Sequence, residues 1–440
     1  MIVQKFGGTS VGGPEPIRRL ASIVRAALER RPVVVVSAIG GVTNRLFRLA
    51  ELARSGEVWQ AEYEALARAH HETLAGLGLD VALLDGMLAE FRSLVHGVAL
   101  LRECTARTMD SLASYGERLS ARLVAAYLAS TGLPARAVDA WEAGIVTDGR
   151  FGSARPLPET EERIRAALGD VPGVPVVTGY IGKDAQGNVT TLGRGGSDFS
   201  AAILGAALGA DEIQIWTDVD GVMTADPRIV ERARFVSKLS FAEAAELAFF
   251  GAKVLHPATM APAVQKNVPI RVLNSFRPEH PGTVIVACLA SGERGVKSIT
   301  SKEEIAVVNV IAAPMLLQFG FLERIAEVFA RHEIVVDMIA TSEVSVALTT
   351  DATARLEPAV LELSRFSDVT IGRALSLVSI VGAELQDGLS VQRRAFETLE
   401  ELAVRVEMIS YGATRNNLSF VVARDRVREI VRALHRRLFE

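Results

Sequence analysis

The sequence predicts an α/β protein in which a largely parallel sheet, sandwiched by helices, occupies residues 1–286 and two smaller α+β units complete the chain. Three observations carry this. The 440 residues exceed what one core ordinarily holds, and a composition 49% hydrophobic but only 6% aromatic fills the interior with Ala, Val, Leu and Ile, as in helix-covered parallel sheets. β-Branched runs alternate with helical periodicities through the N-terminal part, which implies right-handed crossovers. Beyond Gly282 the composition changes and one pattern of elements occurs twice.

The elements follow in order. Residues 2–6 form a short apolar strand that runs into Gly7-Gly8-Thr9-Ser10-Val11-Gly12-Gly13, and Pro14 opens a helix on which Ile17, Leu20, Val24 and Leu28 recur at helical spacing. Val33 to Val36 is a second strand, ending in Ser37-Ala38-Ile39-Gly40-Gly41-Val42-Thr43-Asn44. Leu46 to Leu128 is helical and carries Ser114-Tyr115-Gly116-Glu117-Arg118-Leu119-Ser120. Strands return at 174–181, 211–217 and 270–272, with helices at 199–208 and 241–249 between them. A polar connector spans 287–303. The two units that follow, 304–372 and 373–440, each read strand, helix, strand, strand, helix: 305–311, 321–331, 335–339, 344–348 and 355–364, then 377–381, 391–399, 405–409, 418–422 and 425–438. The short strand at 296–300 has no place in the first unit, and pairing with the second would interleave the two.

Charge and cysteine content exclude several classes. A net charge of -4 without a basic run leaves no electrostatic footprint for nucleic acid or an anionic membrane, and a small-molecule substrate fits better. The chain carries two cysteines, Cys104 and Cys288, and no Cys or His cluster has metal-ligand spacing, so no protein-held metal site is expected. No apolar run approaches the ~20 residues of a membrane span, and the opening residues lack the features of a signal peptide. These features predict a soluble, cytoplasmic protein.

The chemistry gathers at glycines. Gly7-Gly8, Gly40-Gly41 and Gly193-Arg194-Gly195-Gly196-Ser197-Asp198 each follow a strand or precede a helix. Glycine lets backbone N–H groups approach an anion, and a helix N-terminus places partial positive charge behind them. One such pair alone serves a tight turn; three at successive strand ends suit a phosphate site. Neither a G-x-x-x-x-G-K-[ST] loop nor a G-x-G-x-x-G fingerprint occurs, so the phosphates are held otherwise. Lys5, directly before a glycine turn, is placed to meet phosphoryl oxygens. Arg194 offers a bidentate fork for a substrate carboxylate, whereas Asp198 at a helix start also fits a cap. Thr217-Asp218-Val219-Asp220-Gly221 and Thr224-Ala225-Asp226-Pro227-Arg228 form polar loops after a strand, where open α/β sheets bind ligands, although acidic residues also make turns. Lys253 follows a glycine and has reach to phosphates; His256, before a proline, is given no role.

These residues resemble the aspartokinase family. Lys-Phe-Gly-Gly-Thr-Ser-Val at the start, Thr-Leu-Gly-Arg-Gly-Gly-Ser-Asp at 191–198, Trp-Thr-Asp-Val-Asp-Gly at 216–221, Thr-Ala-Asp-Pro-Arg at 224–228 and Phe-Gly-Ala-Lys-Val-Leu-His-Pro at 250–257 look like its signatures. The likeness spans the chain, and Ser342-Glu343-Val344-Ser345-Val346-Ala347-Leu348 looks closest to the lysine-sensitive, monofunctional bacterial type. The resemblance implies an amino-acid kinase fold followed by two ferredoxin-like ACT domains. It implies transfer of the γ-phosphoryl of ATP to the β-carboxylate of aspartate, with magnesium held by phosphate oxygens and water. Lys5, Gly7, Gly8 and Lys253 would hold the phosphates, and Thr217, Asp218, Met223, Arg228 and Val254 the nucleotide. Thr43, Ser197, Glu117 and Arg194 would bind aspartate, Glu117 its ammonium and Arg194 its α-carboxylate, with Ser37 near the reacting carboxylate and Asp198 orienting the attack. Met315, Gln318, Asp337, Ser342 and Glu343 would form an effector site, for lysine, in a homodimer or dimer of dimers. The sequence departs from the family pattern at Met223, where an aromatic residue is usual, at Ile39-Gly40 in place of Ser-Ala, and at Leu317-Gln318 in place of His-Ser.

Two other readings compete. A kinase acting on glutamate derivatives lacks the C-terminal pair and the Glu117 helix region. A catalytically silent amino-acid sensor has no need of Lys5, Arg194, Asp198, Asp218 and Lys253 together.

Overall fold

The computed structural model describes residues 1–440 apart from 252–256, 312–319, 352, 384, 386–388 and 413, and apart from the side chains of 257, 258 and 291. Lys253, Val254, His256, Met315, Leu317 and Gln318 therefore lie outside the described residues.

In chain order the strands and helices are β1 (Ile2–Phe6), α1 (Pro14–Ala26), β2 (Pro32–Val36), α2 (Val42–Ser55), α3 (Gln60–Gly76), α4 (Asp85–Leu101), α5 (Ala106–Ser130), β3 (Ala135–Val138), β4 (Val146–Thr147), α6 (Thr160–Leu168), β5 (Val174–Thr178), β6 (Ile181–Asp184), β7 (Val189–Thr191), α7 (Gly196–Leu208) and β8 (Glu212–Thr217). They continue as β9 (Val222–Met223), β10 (Phe235–Val236), β11 (Lys238–Ser240), α8 (Phe241–Phe249), α9 (Pro257–Lys266), β12 (Ile270–Asn274), β13 (Thr283–Val286), β14 (Gly295–Ile311), α10 (Phe321–Arg331), β15 (Met338–Thr341), β16 (Ser345–Thr350), α11 (Leu356–Leu363), β17 (Asp368–Ala383), α12 (Ser390–Glu401), β18 (Met408–Tyr411), β19 (Asn417–Ala423) and α13 (Val427–Phe439). Two compact units result. Met1–Val222, Ser237–Phe241 and Val254–Cys288 make the first; Met223–Val236, Ala242–Lys253 and Leu289–Glu440 make the second.

The first unit is built on an eight-stranded sheet of order β11-β13-β12-β8-β1-β2-β5-β3. All its pairings are parallel except β12 with β13. The central strands β1, β2 and β5 are buried along their whole length, as β-branched runs covered on both faces must be. α1 begins with Pro14 after Gly13 and turns Ile17, Leu20, Ala21 and Val24 inward. Beyond its polar first turn α7 is apolar and buried almost all round, and Gly205 brings it down onto the sheet: a Cβ there would lie 2.4 Å from Ile213 Cγ1. The parallel order leaves the C-terminal ends of β1, β2, β5 and β8 side by side on one edge.

The run expected as one strand at 174–181 is two. Tyr180 adopts φ +68°, a left-handed turn that ends β5 and sends β6 into a separate sheet of order β4-β6-β7.

The second unit holds a six-stranded sheet, β15-β16-β14-β17-β19-β18, antiparallel throughout. α10 and α11 cover one part of it through Phe321, Ile325, Phe329 and Leu363 on Val308, Val310 and Leu348. α12 and α13 cover the other through Leu399, Ile430 and Leu434 on Ile380, Leu418 and Phe420. The runs 296–300 and 305–311 are parts of the single strand β14, whose residues Ser298–Lys302 pair with Leu377–Val381 of β17. The strands expected at 335–339 and 405–409 start three residues later, at Met338 and Met408. In both repeats a left-handed residue, Glu333 or Ala403, closes the preceding helix, with Ile334 N–H donating to Phe329 O and Val404 N–H to Leu399 O (both 2.9 Å). The chain spends the next residues reversing direction.

Candidate active site

A cavity of about 480 Å³ opens at the strand ends of the first unit, lined among others by Lys5, Gly8, Ser37, Thr43, Glu117, Arg194, Ser197 and Asp198. Eight residues singled out in the sequence, separated by up to almost two hundred positions, thus face one space. This is the crevice where ligands of open α/β sheets bind.

Two glycine turns form its floor. Gly7 N–H donates to Trp216 O (3.1 Å), tying the first turn to the end of β8, and Ser37 N–H donates to Phe6 O (3.1 Å), tying the second to the end of β1. Gly40 N–H donates to Gly8 O (3.0 Å), so the turns touch. A Cβ on Gly8 would stand 3.0 Å from Ala38 O and 3.3 Å from Gly40 Cα, which is why glycine is needed there.

Lys5, nearly buried at the end of β1, puts its ammonium 2.6 Å from Asp198 Oδ1. Asp198 does not cap α7. Gly195, left-handed at φ +69°, is the N-cap, and the Asp198 carboxylate lies in the first turn. A cap was one of the two roles open to it in the sequence; the side chain is used for an ion pair inside the cavity instead. Arg194, between left-handed Gly193 and Gly195, is exposed and makes no hydrogen bond or ion pair within the described residues. Its fork is free to take a carboxylate.

Glu117 comes from the middle of α5 and is buried. Ala38 N–H donates to its Oε1 (3.1 Å), while Oε2 has no partner among the described residues. Burial dominates over that one hydrogen bond and pushes its carboxyl up to about 8. A cation inside the cavity would supply the missing partner.

Two lining residues and one behind the lining escaped the sequence reading. Tyr180 and Gly152 face the cavity, and Asp110, buried two helical turns before Glu117, accepts from Gly152 N–H (2.9 Å), Thr191 N–H (2.8 Å) and Thr191 Oγ1 (2.9 Å). Burial raises the Asp110 carboxyl against the pull of these bonds, and it also raises the Tyr180 hydroxyl. The signal available for Tyr180 was its position after a third strand end, at Gly179-Tyr180.

The remaining residues stand elsewhere. Thr217 and Asp218 close β8 outside the cavity lining, joined by a Thr217 Oγ1 hydrogen bond to Asp218 Oδ1 (3.2 Å). Met223 and Arg228 belong to the second unit, where the Arg228 guanidinium is engaged by Asp226 (Nη2 to Oδ2, 2.6 Å). Asp337, Ser342 and Glu343 are also in that unit. The Asp337 side chain is buried and its two oxygens accept from Lys302 Nζ, 2.9 Å each, with Asp351 at 2.9 Å from the same ammonium and the Phe249 ring over it at 5.6 Å. Burial works against the Lys302 charge, yet the hydrogen bonds its ammonium donates to the two carboxylates raise it above its usual range. Ser342 Oγ lies 2.7 Å from Ser345 Oγ, and Glu343 is exposed.

Residues 1–274 match the amino acid kinase family and residues 378–438 the ACT domain. Fold and match together define a phosphotransferase. Aspartokinase 1, chloroplastic, of Arabidopsis thaliana is 40% identical over 456 residues, covering 100% of this chain and 80% of the relative. Lysine-sensitive aspartokinase 3 of Escherichia coli is 36% identical, covering 100% of this chain and 99% of the relative. The structure of E. coli aspartokinase III in complex with aspartate and ADP (R-state) superposes with TM-score 0.87 at 35% identity, and that in complex with lysine and aspartate (T-state) with 0.83 at 35%, each covering 100% of both chains. The chain belongs to the aspartokinases, kinases whose acceptor is the carboxyl group of aspartate.

Proposed function

We propose that this chain transfers the γ-phosphoryl group of ATP to the β-carboxylate of L-aspartate, giving 4-phospho-L-aspartate and ADP at the strand-end cavity. The observation that carries the reading is the convergence of Lys5, Glu117, Arg194 and Asp198 on one space beside paired glycine turns. Arg194 takes the α-carboxylate of aspartate and Glu117 its ammonium, with Thr43 and Ser197 beside them, so the β-carboxylate points toward Ser37 and the glycine floor. Lys5 and the turns at Gly7 and Gly8 neutralise the transferring phosphoryl oxygens. A carboxylate acceptor is already ionised at neutral pH and needs no base, so catalysis is positioning and charge neutralisation. Asp198 accordingly orients Lys5 and the acceptor and abstracts no proton. The glycine edges and the Lys5 ammonium suit ATP phosphates; magnesium, held by phosphate oxygens and water, supplies further charge neutralisation. Thr217 and Asp218 hold the nucleotide. For Met223, Arg228, Lys253 and Val254 the nucleotide role rests on the sequence resemblance alone.

The catalytic domain is taken as residues 1–286, joined by 287–303 to ACT domains at 304–372 and 373–440, the first sharing β14 with the second. Lysine, bound near Met315, Gln318, Asp337, Ser342 and Glu343 in paired ACT domains of a homodimer or dimer of dimers, biases a two-state equilibrium against catalysis. The reading gains support from the E. coli relative solved with lysine and aspartate.

Trapping the acyl phosphate as hydroxamate tests the reaction. Aspartate is expected to be the preferred acidic amino acid, and Lys5→Ala and Arg194→Ala each to lose about a hundredfold or more in kcat/KM while staying folded. Hydroxamate formation unchanged in both variants would overturn the assignment.

A further inference from the structure

We infer that Asp110 is a positioning residue for the aspartate clamp: its carboxylate sets where the Arg194 loop stands relative to Glu117. The inference rests on the proposed roles of Arg194 and Glu117 and adds what holds them in register. Arg194 has no side-chain anchor of its own among the described residues, and the glycines on either side of it adopt left-handed φ values. Its position is therefore decided by what fixes the ends of its loop. At the far end Gly196 presses against Tyr180, where a Cβ would come within 2.5 Å of Tyr180 Cδ2. At the near end Thr191 is gripped by Asp110 through both its N–H and its hydroxyl, while its carbonyl accepts from Ala154 N–H (2.9 Å).

The same carboxylate also holds the surface against which the loop leans. Asp110 accepts from Gly152 N–H, and Gly152 O packs under Gly193, 3.1 Å from where a Cβ would be. Leu192 N–H, next along the chain from Thr191, donates to Tyr180 O (2.8 Å), so the aromatic wall of the cavity is tied to this cluster. Asp110 and Glu117 sit seven residues apart on α5, two turns along one face, roughly 10 Å. One rigid helix thus carries the residue for the substrate ammonium and the anchor for the loop that reaches the α-carboxylate. The separation of those two subsites is fixed by a helix and not by the loop.

Replacing the carboxylate leaves three donors without an acceptor, and the loop is expected to drift from α5. Asp110→Ala is expected to raise KM for aspartate about tenfold or more while KM for ATP changes less than about twofold. Asp110→Asn can still accept from Gly152 and Thr191 N–H through its oxygen and donate to Thr191 Oγ1, so it should recover most of the loss; Thr191→Val, which keeps the N–H, should fall between. Steady-state kinetics on the full chain, with circular dichroism and melting temperature to verify folding, reads this out. The inference fails if the aspartate and ATP KM values of Asp110→Ala rise together, if neither moves, or if Asp110→Asn is no better than Asp110→Ala. Arg194→Ala separates the two levels: were it to leave KM for aspartate unchanged, the clamp itself would be misassigned, whatever Asp110 does. If Asp110→Ala does not fold, the ordering of Asp110→Asn and Thr191→Val against the native chain decides the matter by the same KM split.

Discussion

Replacing Glu117 by Gln should change both the pH dependence of aspartate binding and the stability of the empty enzyme, in opposite senses. In the empty site burial lifts this carboxyl from 4.5 to about 8, outweighing the hydrogen bond from Ala38 N–H. Its proton is therefore bound more tightly in the folded chain than in the unfolded one. Stability from this group is fully present below the unfolded value and is lost as pH rises from 4.5 toward 8, by about 5 kcal/mol in order of magnitude. An aspartate ammonium prefers the ionised form, so binding below pH 8 must expel the proton. KM for aspartate should then rise about tenfold for each pH unit below 8. Glu117→Gln cannot ionise: its KM should be raised at pH 8.5, the slope from this group should vanish, and its melting temperature should exceed that of the native chain at pH 9 but not at pH 5. The assay is hydroxamate formation at saturating ATP from pH 6.5 to 9, with thermal melts at pH 5 and 9. Parallel KM profiles for the two proteins, or a melting difference independent of pH, would refute the reasoning.

Two further outcomes follow from distances already given. Gly8→Ala must push Ala38 O or Gly40 away from 3.0 and 3.3 Å contacts, and is expected to lower kcat/KM by about tenfold or more with little change in melting temperature, read by steady-state kinetics. Asp337 is already held by Lys302, so a lysine effector that engages this carboxylate must displace an internal ammonium. Lys302→Met should then lower the lysine concentration for half-inhibition several-fold, and an unchanged value would remove Asp337 from the ammonium subsite.

How far the sequence revealed this molecule depends on whether a signal was local. The first two strands, the glycine turns after them and the helices at 241–249 and 321–331 stand where periodicity and punctuation put them. Lys5 and Asp198 meet because α7, whose first turn carries Asp198, packs on β1. What escaped is set by tertiary packing. Tyr180 in a left-handed turn breaks a run of strand-forming residues, and no pattern marks Asp110, a polar residue in a helical stretch whose partners lie 42 and 81 positions away. The three-residue delay of β15 and β18 arises from helix-closing turns whose left-handed residues, Glu333 and Ala403, are not glycine. Met223–Val236 and Ala242–Lys253 group with the C-terminal unit through contacts that no window of sequence contains.

The long strand β14 makes the C-terminal repeats inseparable. Its first part lies beside the last part of β17, and its second part beside the first, with Gly295 opposite Ala383 and Ile311 opposite Asp368. A fragment starting at residue 304 would expose an edge of β17 where Ser298–Lys302 now pair, and a fragment ending before β17 would strip β14 of its neighbour along its whole length. The two halves should therefore unfold in one cooperative transition.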